Sequence, residues 1–323
     1  MKIVGKFFFW FFILFAASVC SLFGYSFLKS QKLFSLTPLI SPLPSLLANY
    51  SYNESGSSFW QPALGVLGTN QKQIQLTAKA ALSYDITTNK MLFAKNEDTQ
   101  LPIASLTKIM TAVIALENLS LDQEITVSKS AATIGEDSMG LSENEILKLE
   151  DLMYGMMLNS GNDAAEAIAQ ASSFKRSDYI HLMNKKAEDL GLSNTRFTNP
   201  TGLQGDGNQY STAKELLVLT RYALQKEVFA KIVLTYEYDI PQTAKHKSYT
   251  LFNETNLLTT YPGVKGVKTG FTDEAGLCLV TYLDYQGHKI IAVLLNSQNR
   301  RAEMAELLDY SLKSLGVTPP PHS

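Results

Sequence analysis

The chain opens on its longest apolar stretch. Lys2 and Lys6 precede an uncharged, mostly apolar run over residues 7–28, and roughly 20 such residues cross a bilayer. Residues 31–75 lose periodicity: Pro38, Pro42 and Pro44 are followed by Asn53-Glu-Ser-Gly-Ser-Ser58, the composition of a linker. Short apolar runs at 78–84 and 91–94, separated by Asp85-Ile-Thr-Thr-Asn89, predict two paired strands. Helical spacing follows over 105–119. It dominates residues 143–192, with apolar runs at 146–158 and 164–171. Asn199-Pro-Thr-Gly202 marks a loop, and Thr212-Ala-Lys-Glu215 has the spacing of a capping box that opens a helix through Leu224. Strand patterns return at 266–271, 277–283 and 290–295, the last two joined by Asp284-Tyr-Gln-Gly287, and a helix closes the chain over 301–315. Strands at both ends with helices between predict an α+β domain whose antiparallel sheet is built from both chain ends and flanked by helices. The expected organisation is an N-terminal transmembrane anchor or signal peptide at 1–30, an extracytoplasmic linker at 31–75, a catalytic domain at 76–316 and a tail at 317–323.

The N-terminal run reads as an uncleaved anchor in preference to a signal peptide. Small residues occur at Ala16-Ala17-Ser18, but no clean small-x-small site is present and the apolar character continues to Leu28. Val19 is bulky for a lipidation site at Cys20. Either form would deliver the domain outside the cytoplasm if the N-terminus stays in. The formal charge is −2 with no basic stripe, which gives nucleic acid no support as a partner. His181, His246, His288 and His322 lack neighbours at metal-ligand spacing, so no metal and no cofactor is expected. Cys20 and Cys278 make no disulfide framework. Cys278 reads as a core strand residue.

Three short motifs carry candidate chemistry, and their order matters more than any one of them. Ser105-Leu-Thr-Lys108 places a hydroxyl and an amine one helical turn apart. Ser160-Gly-Asn162 supplies another hydroxyl and an amide in a polar break between apolar helical runs. Lys268-Thr-Gly270 puts a cation on a strand, where Gly270 allows another chain to approach. Singly these are weak: Ser-x-x-Lys recurs at Ser26, Ser172 and Ser211, and Ser-x-Asn at Ser51, Ser142 and Ser297. Each also has an ordinary structural explanation as a helix cap or a solvated lysine. Together they describe a serine hydrolase whose base is lysine.

The residues around the motifs resemble the serine D-alanyl-D-alanine carboxypeptidases, the low-molecular-mass penicillin-binding proteins of the S11 peptidase family. The resemblance runs through Ala80-Ala-Leu-Ser-Tyr-Asp85, Ile103-Ala-Ser-Leu-Thr-Lys-Ile-Met-Thr-Ala112, Leu158-Asn-Ser-Gly-Asn-Asp-Ala-Ala165, Phe197-Thr-Asn-Pro-Thr-Gly-Leu203, Tyr210-Ser-Thr-Ala213 and Gly266-Val-Lys-Thr-Gly-Phe-Thr272. It covers about residues 78–315. Two features depart from the family: Gln209 stands where a histidine often precedes Tyr-Ser-Thr-Ala, and the chain stops soon after Leu315 with no added β-rich domain.

The resemblance implies a β-lactamase/DD-peptidase-like fold and a D-Ala-D-Ala carboxypeptidase of the cell envelope acting on peptidoglycan stem peptides. Ser105 would be the nucleophile, Lys108 its base and Ser160 the proton relay to the leaving D-alanine. Asn162 would hold the substrate amide and steady Lys108. Lys268, Thr269 and Gly270 would form the wall that receives the terminal carboxylate, with Arg300 assisting and Arg301 as the alternative in register. Backbone N–H groups of Ser105 and Phe271 would hold the oxyanion. β-Lactams would acylate Ser105. Endopeptidase or transpeptidase activity is an alternative within the superfamily. β-Lactamase activity would need a carboxylate to activate water, and Glu166 is poorly placed for that. A non-catalytic envelope protein is the remaining alternative, and the intact motifs argue against it.

Overall fold

A computed structural model describes residues 60–63, 65, 74–171 and 175–322. The N-terminal anchor or signal peptide lies outside the described residues, as does most of the linker. Among the described residues no helix is long and apolar enough to cross a membrane.

The strands expected at both chain ends do meet in one sheet. β1 (Ala80–Asp85) and β2 (Lys90–Lys95) come from the start of the domain. β7 (Val264–Thr272), β8 (Gly276–Tyr285) and β9 (His288–Ser297) come from its end. The order is β2-β1-β9-β8-β7 and every pairing is antiparallel. Leu82 lies opposite Val293, which lies opposite Val280. Side chains alternate across a strand, and β9 displays that period plainly. Ile291, Val293 and Leu295 face one apolar core, while Ile290, Ala292 and Leu294 face another. The second core is closed by α9 (Arg300–Ser314) through Met304, Leu307, Leu308 and Leu312. The first is closed by the central helices, so the sheet is the middle of three layers. Cys278 is a buried thiol in the first core.

The central body comprises α1 (Lys108–Asn118), the short α2 (Lys129–Ala132), α3 (Leu149–Leu158), α4 (Asn162–Ala169), α5 (Arg176–Asp189), α6 (Ala213–Leu224), α7 (Glu227–Leu234) and the short α8 (Leu257–Thr260). Local pattern and structure differ in instructive places. The apolar run at 146–158 is not all helix: Ile146–Lys148 is β4, paired with β3 (Glu124–Thr126), and the helix starts at Leu149. β5 (Glu237–Ile240) and β6 (Tyr249–Phe252) form a further hairpin that the pattern did not announce. Thr212 caps α6 by accepting from the Glu215 N–H, but the Glu215 carboxylate does not return to Thr212. It accepts from Asn194 N and Thr195 Oγ1, so a tertiary contact has claimed half of the capping box. Part of the segment read as linker is packed on the domain. The Trp60 ring meets Tyr84 edge-on at 5.4 Å and lies under the Arg221 guanidinium.

One carboxylate fastens the two ends of the domain. Glu303 on α9 accepts from Thr77 N, from Ala78 N at 3.2 Å and from Ser297 Oγ. Burial works to raise its pKa, but the hydrogen bonds from Ser297 and Thr77 prevail and leave it lowered. A lowered carboxylate stabilises the fold above its unfolded pKa and ceases to as pH falls through its folded value. Glu303→Gln is therefore expected to cost about 1–3 kcal/mol at neutral pH. Urea unfolding across pH checks this, and the difference between variant and parent should shrink as pH drops below about 4.

Candidate active site

The nucleophile candidate sits on a turn held in an unusual conformation. Residues Ala104–Thr107 form a single 3-10 turn that runs straight into α1. Ser105 is 8% exposed and Lys108 is fully buried. Ala104, immediately before the serine, has φ +47°, a region that costs an alanine energy unless its surroundings enforce it. Two glycines do so by letting backbone come close. A Cβ on Gly202 (φ +94°) would lie 2.0 Å from the Ala104 carbonyl oxygen, and one on Gly270 would lie 3.1 Å from Ile103 O and 3.2 Å from Ser105 N. Loop 199–202 and strand β7 thus clamp the serine turn from two sides. The loop is organised by Asn199, whose Oδ1 accepts from Thr201 N, Thr201 Oγ1 and Gly202 N.

Lys108 is the hub. Its Nζ lies 2.8 Å from Ser105 Oγ, 2.7 Å from Asn162 Oδ1 and 2.8 Å from the Thr201 carbonyl oxygen. Asn162 is oriented by its other end, where Nδ2 donates to Gly135 O at 3.0 Å. A carbonyl and an amide oxygen can only accept, so they take two N–H bonds and leave the third direction of Nζ to the serine hydroxyl. Burial drives the Lys108 pKa well below the ordinary lysine value, and the charge of Lys268 adds to this against opposing pulls from Asp137, Glu254 and Asp163. In the neutral form the remaining direction is a lone pair aimed at Ser105 Oγ–H, which is the geometry of a general base.

Ser160 and Asn162 arrive through a tight junction between α3 and α4. Ser160 is 1% exposed with φ +58°, a strained position of the kind that concentrates at functional sites. Asp163, the residue after Asn162, anchors the loop opposite. Its carboxylate accepts from Met139 N, Gly140 N, Leu141 N and Ser138 Oγ, and from its neighbour Ala164 N. Asp163 thus fixes loop 135–141, whose Gly135 carbonyl in turn orients Asn162.

Lys268 and Thr269 lie on β7, an edge strand of the sheet. Lys268 is 1% exposed and pairs with no carboxylate among the described residues. Burial pulls its pKa down to about 8, with Arg300 pushing the same way and Glu254 and Asp137 opposing. Thr269 Oγ1 donates to Glu254 Oε2 at 3.1 Å. Arg300, the first residue of α9, donates from NH1 to Gly270 O at 2.8 Å, which places the arginine against the same strand. The Phe271 ring is 55% exposed.

The structure therefore brings Ser105, Lys108, Asn162, Lys268, Gly270 and Arg300 to one locality. It also adds three participants that sequence reasoning did not single out. Thr201 contributes a backbone carbonyl, which has no side-chain signature. Glu254 and Asp137 are the carboxylates that temper both lysines, and both are exposed on turns. Glu166, which its sequence position placed poorly for activating water, is held in an ion pair. It is 3% exposed and clamped by Arg176 through Nε and NH2, with Gln170 Nε2 at 2.9 Å. Among the described residues no cluster of His, Cys, Asp and Glu is arranged to hold a metal ion.

A buried serine–lysine pair under a helical body, facing a lysine on the edge of an antiparallel sheet, is the arrangement of a serine peptidase. The D-alanyl-D-alanine carboxypeptidase family model matches residues 67–299, and the chain belongs to that family. It is 34% identical over 260 residues to D-alanyl-D-alanine carboxypeptidase DacF of Bacillus subtilis, covering 78% of this chain and 66% of that relative. It is 33% identical over 240 residues to a D-alanyl-D-alanine endopeptidase of Pseudomonas aeruginosa, covering 72% of this chain and 76% of the other. The crystal structure of the Streptomyces K15 DD-transpeptidase superposes with a TM-score of 0.71 at 31% identity, covering 75% of this chain and all of that one.

The clamp on the serine turn is open to test by a single methyl group. Gly202→Ala is expected to lower stability by about 2–4 kcal/mol, because it adds overpacking to an unfavourable φ. Thermal unfolding checks this, and a shift no larger than that of a surface Gly→Ala control would show that the turn yields freely.

Proposed function

We propose that the protein is a serine-type D-Ala-D-Ala carboxypeptidase that removes the terminal D-alanine from peptidoglycan stem peptides, working in the cell envelope. The observation that carries this reading is the set of three contacts made by the buried Lys108 amine. Neutral Lys108 takes the proton of Ser105 Oγ as that oxygen attacks the carbonyl of the last peptide bond. The tetrahedral oxyanion is held by the backbone N–H groups of Ser105 and Phe271, donors of a kind whose loss typically costs ~100- to 1,000-fold in rate. Collapse breaks the C–N bond, and Ser160 passes a proton to the departing amine. Water then hydrolyses the acyl-enzyme. Lys268 and Arg300 attract the terminal carboxylate beside Thr269. β-Lactams, which imitate the D-Ala-D-Ala end, acylate Ser105 by the same route. The N-terminal run would hold the domain at the membrane.

Relatives named endopeptidases match almost as well as those named carboxypeptidases, so the leaving group is the point to measure. D-Alanine release from a peptide ending in D-Ala-D-Ala is expected from the parent protein and should fall at least ~1,000-fold in Ser105→Ala. Cleavage of a cross-linked peptide dimer with no release of terminal D-alanine would transfer the reading to an endopeptidase.

The pH profile of that release follows from the two lysines. Activity should rise as pH passes upward through the lowered Lys108 value, because only the free amine accepts the serine proton. It should fall above about 8 as Lys268 loses its charge. Glu254 is the strongest of the groups raising the Lys268 value, so Glu254→Gln should shift the alkaline limb to lower pH. An alkaline limb that does not move would remove Lys268 as its source.

A further inference from the structure

Four large hydrophobic side chains stand exposed among the described residues: Leu234, Tyr236, Phe252 and Phe271. Three of them come from one locality. Asn253 N donates to Tyr236 O at 2.8 Å, and Asn253 Nδ2 donates to Val233 O and Thr235 O. These bonds lay the segment leaving α7 against the end of β6. The Tyr236 and Phe252 rings then meet edge-on with centroids 6.2 Å apart, yet remain 49% and 48% exposed. Aromatic surface left in water is unfavourable, and several such residues together mark a contact surface.

The patch continues into the proposed active site. Phe252 N donates at 3.0 Å to the Oδ1 of Asn159, the residue before Ser160. Glu254 N donates to Leu158 O, and Glu254 Oε2 accepts from Thr269 Oγ1. No role assigned above uses Tyr236 or Phe252.

The polar neighbours show what the patch suits. The hairpin register pairs Glu237 with Phe252 and Asp239 with Thr250, and directly paired residues share a face. Tyr238 and Leu251 take the inner face, where Tyr238 stacks on Tyr154 at 3.6 Å. The outer face therefore sets an aromatic ring beside a carboxylate. Asp239 accepts from Thr250 Oγ1, but Glu237 has no hydrogen-bond or ion-pair partner among the described residues. Lys231, Lys245 and Lys247 flank this segment and are engaged by Glu150, Glu124 and Ser142. An anionic lipid surface is attracted by unpaired Lys and Arg, and this face offers a free carboxylate instead. A neutral sugar suits it better. The C–H bonds of a pyranose pack on aromatic rings as weak donors. Its hydroxyl and amide N–H groups donate to a carboxylate, which can only accept.

We propose that Tyr236, Phe252 and Glu237 form a docking platform for the uncharged amino-sugar chain that carries the stem peptides. The identity of that chain rests on the peptidase reading above. The platform acts on capture of the polymer and not on the chemistry at Ser105.

Hydroxyl-radical footprinting of the full chain, read by mass spectrometry, tests this with chitotetraose, a neutral N-acetylglucosamine tetramer. Oxidation of Tyr236 and Phe252 should be lost as chitotetraose is added. It should persist when the chain is instead placed in vesicles of phosphatidylcholine and phosphatidylglycerol. Glu237→Ala, which keeps both rings, should raise the chitotetraose concentration for half-protection about threefold to tenfold. In the double variant Tyr236→Ser with Phe252→Ser, kcat/KM for D-alanine release from glycan-linked stem peptides should fall about threefold to tenfold. Release from a free peptide ending in D-Ala-D-Ala should be unchanged, which also shows that the variant is folded. Oxidation that chitotetraose does not reduce overturns the platform, and protection by vesicles alone assigns the patch to lipid and overturns it equally. Protection by chitotetraose without D-alanine release from either substrate supports the sugar platform and overturns the peptidase reading instead.

Discussion

The arrangement of this site depends on one amine held out of contact with solvent, where burial disfavours its charge. Lys108 is fully buried, and an ammonium there would need three acceptors and a counter-charge. The fold supplies two obligate acceptors, Asn162 Oδ1 and Thr201 O, and leaves the third direction to Ser105. Desolvation and the nearby Lys268 disfavour the charged form. The same burial that makes the lysine a usable base makes the arrangement intolerant, because any acceptor lost leaves an N–H unsatisfied in a dry interior.

That requirement spreads outward through backbone, not only through side chains. Thr201 O reaches Lys108 because the Asn199 carboxamide folds loop 199–202, and the loop approaches the serine turn because residue 202 has no Cβ. Asn162 Oδ1 reaches Lys108 because Gly135 O holds the opposite end of the amide, and loop 135–141 is in turn fixed by the buried carboxylate of Asp163. The sheet edge completes the enclosure, with Gly270 against the turn and Arg300 tied to its carbonyl. Three segments distant in sequence thus converge on a single nitrogen.

The two lysines divide the work by their surroundings. Both are buried, and Glu254 and Asp137 oppose the cost of burial for both; burial leaves Lys268 at about 8, with Arg300 adding to the lowering. Lys108 is driven well below the ordinary lysine value by burial first and by the charge of Lys268 second. Two buried lysines side by side, both with lowered pKa, suit a pocket proposed to attract an anion and to accept a proton.

Much of this was legible in the chain. Short apolar runs beside turn residues marked the strands at both ends, and the continuous apolar run 290–295 is shared by the structure between two cores. Ser105, Lys108, Asn162 and Lys268 stand in motifs whose spacing reflects local geometry, one helical turn or one strand, and local geometry is what sequence encodes most directly. Tertiary structure decided the rest. The position of Glu166 argued against a water-activating base, but nothing in its spacing announced Arg176 as its partner. The fate of Glu215 was likewise settled by a segment some twenty residues away. Thr201 serves through its carbonyl and Glu254 through its charge, and neither leaves a periodic trace. The sequence by itself determined which groups are available and which face of each element they occupy. Only folding decided which of them lose water, and for the Lys108 amine that loss is what lowers its pKa and suits it to the proposed role of base.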